Sequence, residues 1–180
     1  MAKYSNVTAG QTEACINRMG GWSNFLRFIG GEGKVVFETI LTLVRTVLIP
    51  AQPAVTTSEK YFEEAGVVRM GDDFKAQSLD LEVGATEEVE LAVRKLKCAS
   101  LNAPILTELG NKAELTVSQF RAFLAANRGS FEWFVSYLKG KDGNLWAVHA
   151  RRHVDGWSVY ARSVESPYEW HASNHIVSRN

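Results

Sequence analysis

Cysteine is scarce in this chain: Cys15 and Cys98 are the only two among 180 residues. At most one disulfide can form, and two scattered thiols fit a reduced, packed protein better than a disulfide-stapled one. Charge of one sign is missing as well, since 20 Lys and Arg balance 20 Asp and Glu. A dedicated non-specific nucleic-acid binder carries net positive charge, so contact with a polyanion would need a local basic patch. Long apolar runs are also lacking. The longest, residues 35–49, is too short to span a bilayer and contains Glu38 and Arg45. Residues 1–21 have no continuous apolar core of the signal-peptide kind and include Glu13 and Arg18. A cytoplasmic protein with no membrane partner is expected. No G-x-S-x-G, P-loop, G-x-G-x-x-G or paired-carboxylate signature occurs, and no cofactor is expected.

What the chain does contain is a set of start and stop signals for short elements. Thr8 with Gln11 makes a capping box, predicting a helix through Ala14, Ile16 and Met19 that stops at Gly20-Gly21. A second short helix over 23–29 would complete a helical hairpin within 7–32. Residues 34–49 fit both a strand, by Val, Ile and Thr density, and a helical stripe; strand is preferred. A short helix is expected over 58–64 and a strand over 74–83. Thr86 followed by Glu87 and Glu88 suits a helix start, with Val89, Val93 and Leu96 as its apolar stripe to about Lys97. Thr116 with Gln119 is a further capping box, opening a helix that ends near 127–129. Helices followed by strands indicate an α+β fold. It is read as a single domain, 1–180: a helical hairpin (7–32), two middle helices (about 86–127) and a C-terminal antiparallel meander (about 131–178).

The meander rests on two Asp-Gly pairs, Asp142-Gly143 and Asp155-Gly156, each between β-type runs. Taken as two-residue loops, they set Arg151 opposite Tyr160, Ala150 opposite Ala161 and His149 opposite Arg162. They likewise set Tyr137 opposite Val148 and Val135 opposite Ala150. Trp133, Trp146, Val148, Ala150, Trp157, Val159 and Ala161 then share an apolar face. The opposite face carries His149, Arg151, His153, Ser158, Tyr160 and Arg162. Antiparallel sheets routinely leave one face in water, which is the plain explanation of such a face. Facing cations disfavour pairing, however, and a bound anion would relieve them, with Arg forks suited to phosphate or carboxylate. Arg162 near His149 should keep the imidazole neutral, and Tyr160 offers a ring for stacking.

Other constellations are weaker. His149 and His153 lie about 13 Å apart along a strand, too far for joint chelation. His171 and His175 have Glu169 nearby but no cysteine pair, so no metal site is assigned. Residues 13–29 resemble a helix-turn-helix only in outline, because the second segment has one Arg and little else to read bases. Trp22, Phe25 and Phe28 offer a sticky patch, which leaves a homo-oligomer open.

The stretch T-A-G-Q-T-E-A-C-I-N-R-M-G-G with N-F-L-R-F-I-G-G-E in residues 7–32 resembles a loosely related group of short, uncharacterised bacterial proteins. So do Lys141-Asp142-Gly143-Asn144, Trp146-Ala147-Val148 and Gly156-Trp157-Ser158-Val159-Tyr160 near the end. The resemblance implies a cytoplasmic bacterial protein and carries no activity, ligand or site residue. Functionally, the sequence predicts a non-enzymatic binding module whose polar meander face takes an anionic ligand or nucleic acid. The alternative is a metal-independent, ribonuclease-like enzyme with His149 or His153 as base and Arg151 and Arg162 as clamp.

Overall fold

The computed structural model describes Glu13, Ile16, Asn17, residues 21–29 and residues 39–180. The chain divides into two compact units, Met1–Glu38 and Thr39–Asn180. In the first, helix α1 spans Trp22–Ile29, with Trp22 edge-on to Phe25 at 5.4 Å between ring centroids. The Thr8–Gln11 cap and most of the helix expected after it lie outside the described residues.

The second unit is built on an eight-stranded mixed sheet, not on helices packed against a meander. Its strands are β1 (Leu41–Ile49), β3 (Val67–Met70), β5 (Val89–Leu96), β6 (Glu114–Leu115), β7 (Trp133–Lys139), β8 (Leu145–Arg152), β9 (Trp157–Ser163) and β10 (His175–Arg179), in the order β1-β5-β10-β7-β8-β9-β3. Strand β6 pairs with β7 off this path, and β2 (Val55–Thr56) and β4 (Glu82–Val83) form a separate two-stranded sheet. Most pairs are antiparallel, but β10 and β6 run parallel to β7, and β3 runs parallel to β9. The four short helices of this unit are α2 (Glu59–Glu63), α3 (Asp72–Ser78), α4 (Asn102–Leu109) and α5 (Val117–Ala126).

Two of the expected elements have the opposite identity. The helix expected from Thr86 to Lys97 is strand β5. Its Leu91, Ala92 and Val93 are all fully buried, which a one-sided helical stripe does not allow but a strand covered on both faces requires. Pairing with β1 on one side and β10 on the other supplies its backbone partners. The first half of the strand expected over 74–83 is helix α3, whose first turn holds Asp72 and Asp73 at the positive end of the helix dipole, and residues 82–83 are strand β4. Strand β1 occupies residues 41–49 of the ambiguous apolar run. Local signals prevail where they are complete: Ser58 caps α2, and Thr116 with Gln119 forms both halves of the capping box on α5.

Both faces of the sheet are covered. On the first, Phe120, Phe123 and Leu124 of α5 pack with Phe134, Val148, Trp157 and Val159, joined by Phe62 and Phe74 from α2 and α3. On the second, Ile105 and Leu109 of α4 pack with Leu96, Val135, Tyr137, Ala147, Trp170 and Ile176. Asn102 ties this second core together. Its Oδ1 accepts from Tyr137 Oη at 3.0 Å and from Trp170 Nε1 at 2.8 Å, while its Nδ2 donates to the Val164 carbonyl at 3.1 Å. Helix α4 was not anticipated from the sequence, although Pro104 in its first turn and Gly110 at its end are a known start-and-stop pairing.

The two hairpin registers depart from the expected ones in different ways. Between β8 and β9, Arg152 pairs with Trp157 and His149 with Tyr160. The bend centres on Val154 and Asp155, with His153 N donating to Gly156 O at 2.8 Å. That is a slip of two residues, which preserves each side chain's face. Between β7 and β8 the slip is one: Phe134 pairs with Ala150 and Ser136 with Val148. Gly140 and Asn144 close a three-residue turn, Gly143 N bonding back to Gly140 O with Gly143 at φ 76°. The Asp142 carboxylate accepts from Asn144 N and from the Trp146 indole, holding the longer turn in place. A one-residue slip exchanges the faces of a whole strand. Trp133, Val135 and Tyr137 therefore lie on the second face with His149, away from Val148 and Ala150.

Candidate functional site

The residues anticipated as one polar face are divided by the structure into three situations. Ser158 is 2% exposed, and its Oγ is buried without a partner. It is part of the interior. His153 lies at the hairpin end beyond β8, half-buried. Arg151 is exposed, its guanidinium carbon 4.5 Å from the centroid of the Trp133 ring. Only His149, Tyr160 and Arg162 converge, lining a shallow groove of about 320 Å³ together with Ala161 and Asp73.

An arc of aromatic contacts holds the groove's shape. His149 stacks on Tyr160, centroids 5.2 Å apart and 21° between planes, and tilts against Trp170 at 5.6 Å. Trp170 meets Tyr168 edge-on at 4.8 Å, and the Arg162 guanidinium lies 4.4 Å over the Tyr168 ring. Trp170 is fixed by its bond to Asn102, so the second core supports one wall of the groove directly. Tyr160 is also confined by the backbone at Gly71. A Cβ added to Gly71 would lie 2.6 Å from Tyr160 Cδ1, so this close approach exists only because residue 71 has no side chain.

Asp73 reaches the groove by topology. Gly71 N donates to Val159 O at 2.9 Å, continuing the β3–β9 ladder past the end of β3. Helix α3 starts at the next residue and packs on β9, which brings its first turn to the groove. Arg69 does not line the groove; it is the partner of Ser158 in the same parallel pair. A cross-strand row therefore runs Arg69, Ser158, Arg151, Trp133 on the second face. Sequence reasoning missed both Arg69 and Asp73. Among the described residues, neither Arg69, Arg151 nor Arg162 forms a salt bridge; the arginines that do are Arg45 and Arg121.

Burial, assisted by the nearby Arg162 charge, lowers the His149 pKa from 6.5 to about 4. The ring is therefore neutral at pH 7, and its Nδ1 is buried without a partner. The expectation of a neutral imidazole had the right charge and put the lesser cause first. Because the folded-state pKa lies below the unfolded one, this neutral ring stabilises the fold fully above about pH 6.5. The contribution is lost as pH falls from there towards 4, at most about 3 kcal/mol. His175, also lowered chiefly by burial, acts in the same direction. Chemical denaturation of wild type and His149→Phe between pH 7 and pH 4 should show a markedly shallower loss in the variant. Equal slopes would mean that His149 is not titrating from a buried state.

A second charged cluster lies on the other face. Glu132 takes Arg45 at 2.7 and 3.3 Å, Ser130 Oγ at 2.9 Å and His175 Nε2 at 3.3 Å. The Arg45 bond, the largest influence, holds the Glu132 carboxyl below the usual carboxylate range. His175 Nδ1 is buried and unpartnered. The cluster joins β1, β7 and β10. His171 is exposed while the His175 ring tilts against Phe134. No group of three or more His, Cys, Asp or Glu is placed to hold a metal among the described residues. No described helix is long and apolar enough to cross a membrane. No family model, curated protein or solved structure matches the chain.

Proposed function

We propose that the protein is a binding module for a small ligand bearing a compact anionic group, which Arg162 engages in the groove beside His149 and Tyr160. The observation behind this is Arg162 itself: an exposed guanidinium, oriented on Tyr168, with no carboxylate partner among the described residues. Its fork is free for two charge-assisted hydrogen bonds to phosphate or carboxylate oxygens. Asp73, which also lines the groove, suits hydroxyl or amine donors elsewhere on the same ligand. A phosphorylated polyol has both kinds of group.

Nucleobase stacking draws less support. One face of Tyr160 is taken by His149, and the Gly71 backbone closes on the ring from elsewhere. The ribonuclease-like alternative needs a general base with a pKa near the working pH. His149, at about 4, is a poor one, and His153 lies at the hairpin end outside the groove that holds Arg162.

Calorimetric titration with ribose 5-phosphate, and with ribose as control, tests the reading. Binding of the phosphate ester should weaken about 10- to 100-fold in Arg162→Ala, the loss of one charged hydrogen-bond pair. It should also weaken with added salt. Equal affinity for the ester and plain ribose, or an unaffected Arg162→Ala, would remove the basis for the assignment.

A further inference from the structure

The end of the sheet where β7 and β9 begin presents two large apolar side chains to solvent. Phe131 is 74% exposed in the segment before β7, and Val154 is 96% exposed at the tip of the β8–β9 hairpin. Direct contacts make the two loops neighbours: Arg152 Nε donates to Arg128 O at 2.8 Å, and Arg151 covers Trp133. Arg128 in turn donates to the Glu64 carbonyl. The three arginines therefore bond to carbonyls or lie on aromatic rings, and none is neutralised by a carboxylate among the described residues. Of the acids in these loops, Glu132 is already bound by Arg45 and His175, and only Asp155 opposes the cations.

We infer that this end of the molecule docks peripherally on an anionic lipid surface. Phe131 and Val154 enter the boundary between headgroups and acyl chains, and Arg128, Arg151 and Arg152 meet the phosphates. The two apolar side chains count here because of the arginines beside them: interfacial binding scales with buried apolar area together with attraction to anionic lipid. Three uncompensated arginines match the negative potential of such a membrane, each adding roughly fivefold to the partition. The groove at Arg162 has no part in this, so the two assignments stand or fall separately.

Sedimentation of the full chain with vesicles of phosphatidylcholine, alone or with phosphatidylserine, tests it. Wild type should pellet with the phosphatidylserine vesicles only, and less at high salt. Phe131→Asp/Val154→Asp should abolish pelleting with an unchanged melting temperature, because both side chains are exposed. Arg162→Ala should pellet as wild type does while losing ribose 5-phosphate. No pelleting, equal pelleting with phosphatidylcholine alone, or pelleting unchanged in the double variant would each overturn the proposal. So would binding of poly(U) that survives the double substitution while vesicles go unbound, which would point to nucleic acid.

Discussion

Gly156→Ala should lower the melting temperature by roughly 10 °C, a loss of about 3–5 kcal/mol for a chain of this size. Gly156 is buried where β3 and β9 meet. A Cβ there would lie 2.5 Å from Val68 Cγ1 and 2.6 Å from the Gly66 carbonyl oxygen. That oxygen accepts the Trp157 backbone N–H at 2.8 Å, so it cannot retreat without breaking the bond that starts the parallel pair. Overpacking of this kind costs about 1–3 kcal/mol. The φ of +154° adds to it, since an L side chain rarely adopts that conformation. Among the described residues strand β3 is an edge strand whose only sheet neighbour is β9, so strain at this point also displaces Arg69 and Gly71. The comparison is Gly129→Ala, where an added Cβ meets nothing within 4 Å and φ is ordinary; it should be close to neutral. Thermal unfolding followed by circular dichroism reads both. A Gly156→Ala variant within about 1 kcal/mol of wild type would mean that β3 and β9 are not paired as described.

Asn102→Leu is expected to cost about 3–6 kcal/mol, although leucine has the same branched skeleton of heavy atoms. Asn102 is 1% exposed, and Tyr137 and Trp170, whose donors it accepts, are equally deep. Replacement leaves the phenol and the indole N–H buried with no acceptor, at about 1–3 kcal/mol each, and also strips the Val164 carbonyl of its donor. Burial raises the Tyr137 phenol well above its ordinary pKa, so it cannot escape by ionising. A double-mutant cycle isolates the effect: in a Tyr137→Phe background one orphaned donor is already gone, and Asn102→Leu should cost less than in wild type. Equal costs in the two backgrounds would show that the phenol does not depend on Asn102. Because Trp170 flanks His149, Asn102→Leu should also weaken ribose 5-phosphate binding, which Tyr137→Phe should spare.

Legibility in the sequence followed how local each signal is. A capping box concerns residues three apart, and Thr116 and Gln119 make the bonds their spacing implies. The two Asp-Gly pairs likewise marked real chain reversals, but a reversal fixes neither the length of a loop nor which residues sit at its centre. The β8–β9 register slipped by two, so His149, Tyr160 and Arg162 kept a common face. The β7–β8 register slipped by one, and alternation gave no warning. Residues 133–138 read Trp-Phe-Val-Ser-Tyr-Leu, apolar at both parities, because β7 is buried on both sides. The stripe Val89, Val93 and Leu96 misled for a related reason. An internal strand covered on two faces carries apolar residues at almost every position, and a helical spacing can be drawn through any such run.

By itself, the amino-acid order determined where short helices are capped, where the chain turns back, and that His149, Tyr160 and Arg162 alternate onto one side of a hairpin. Only the folded chain decided that this side is half roofed by α4 and Trp170, that Ser158 is interior, and that Asp73 and Arg69 stand beside residues some ninety positions later. The division has a physical cause. Caps and turns are set by hydrogen bonds between near neighbours, whereas the covering of a sheet and its parallel pairings depend on contacts that form only once distant segments have come together.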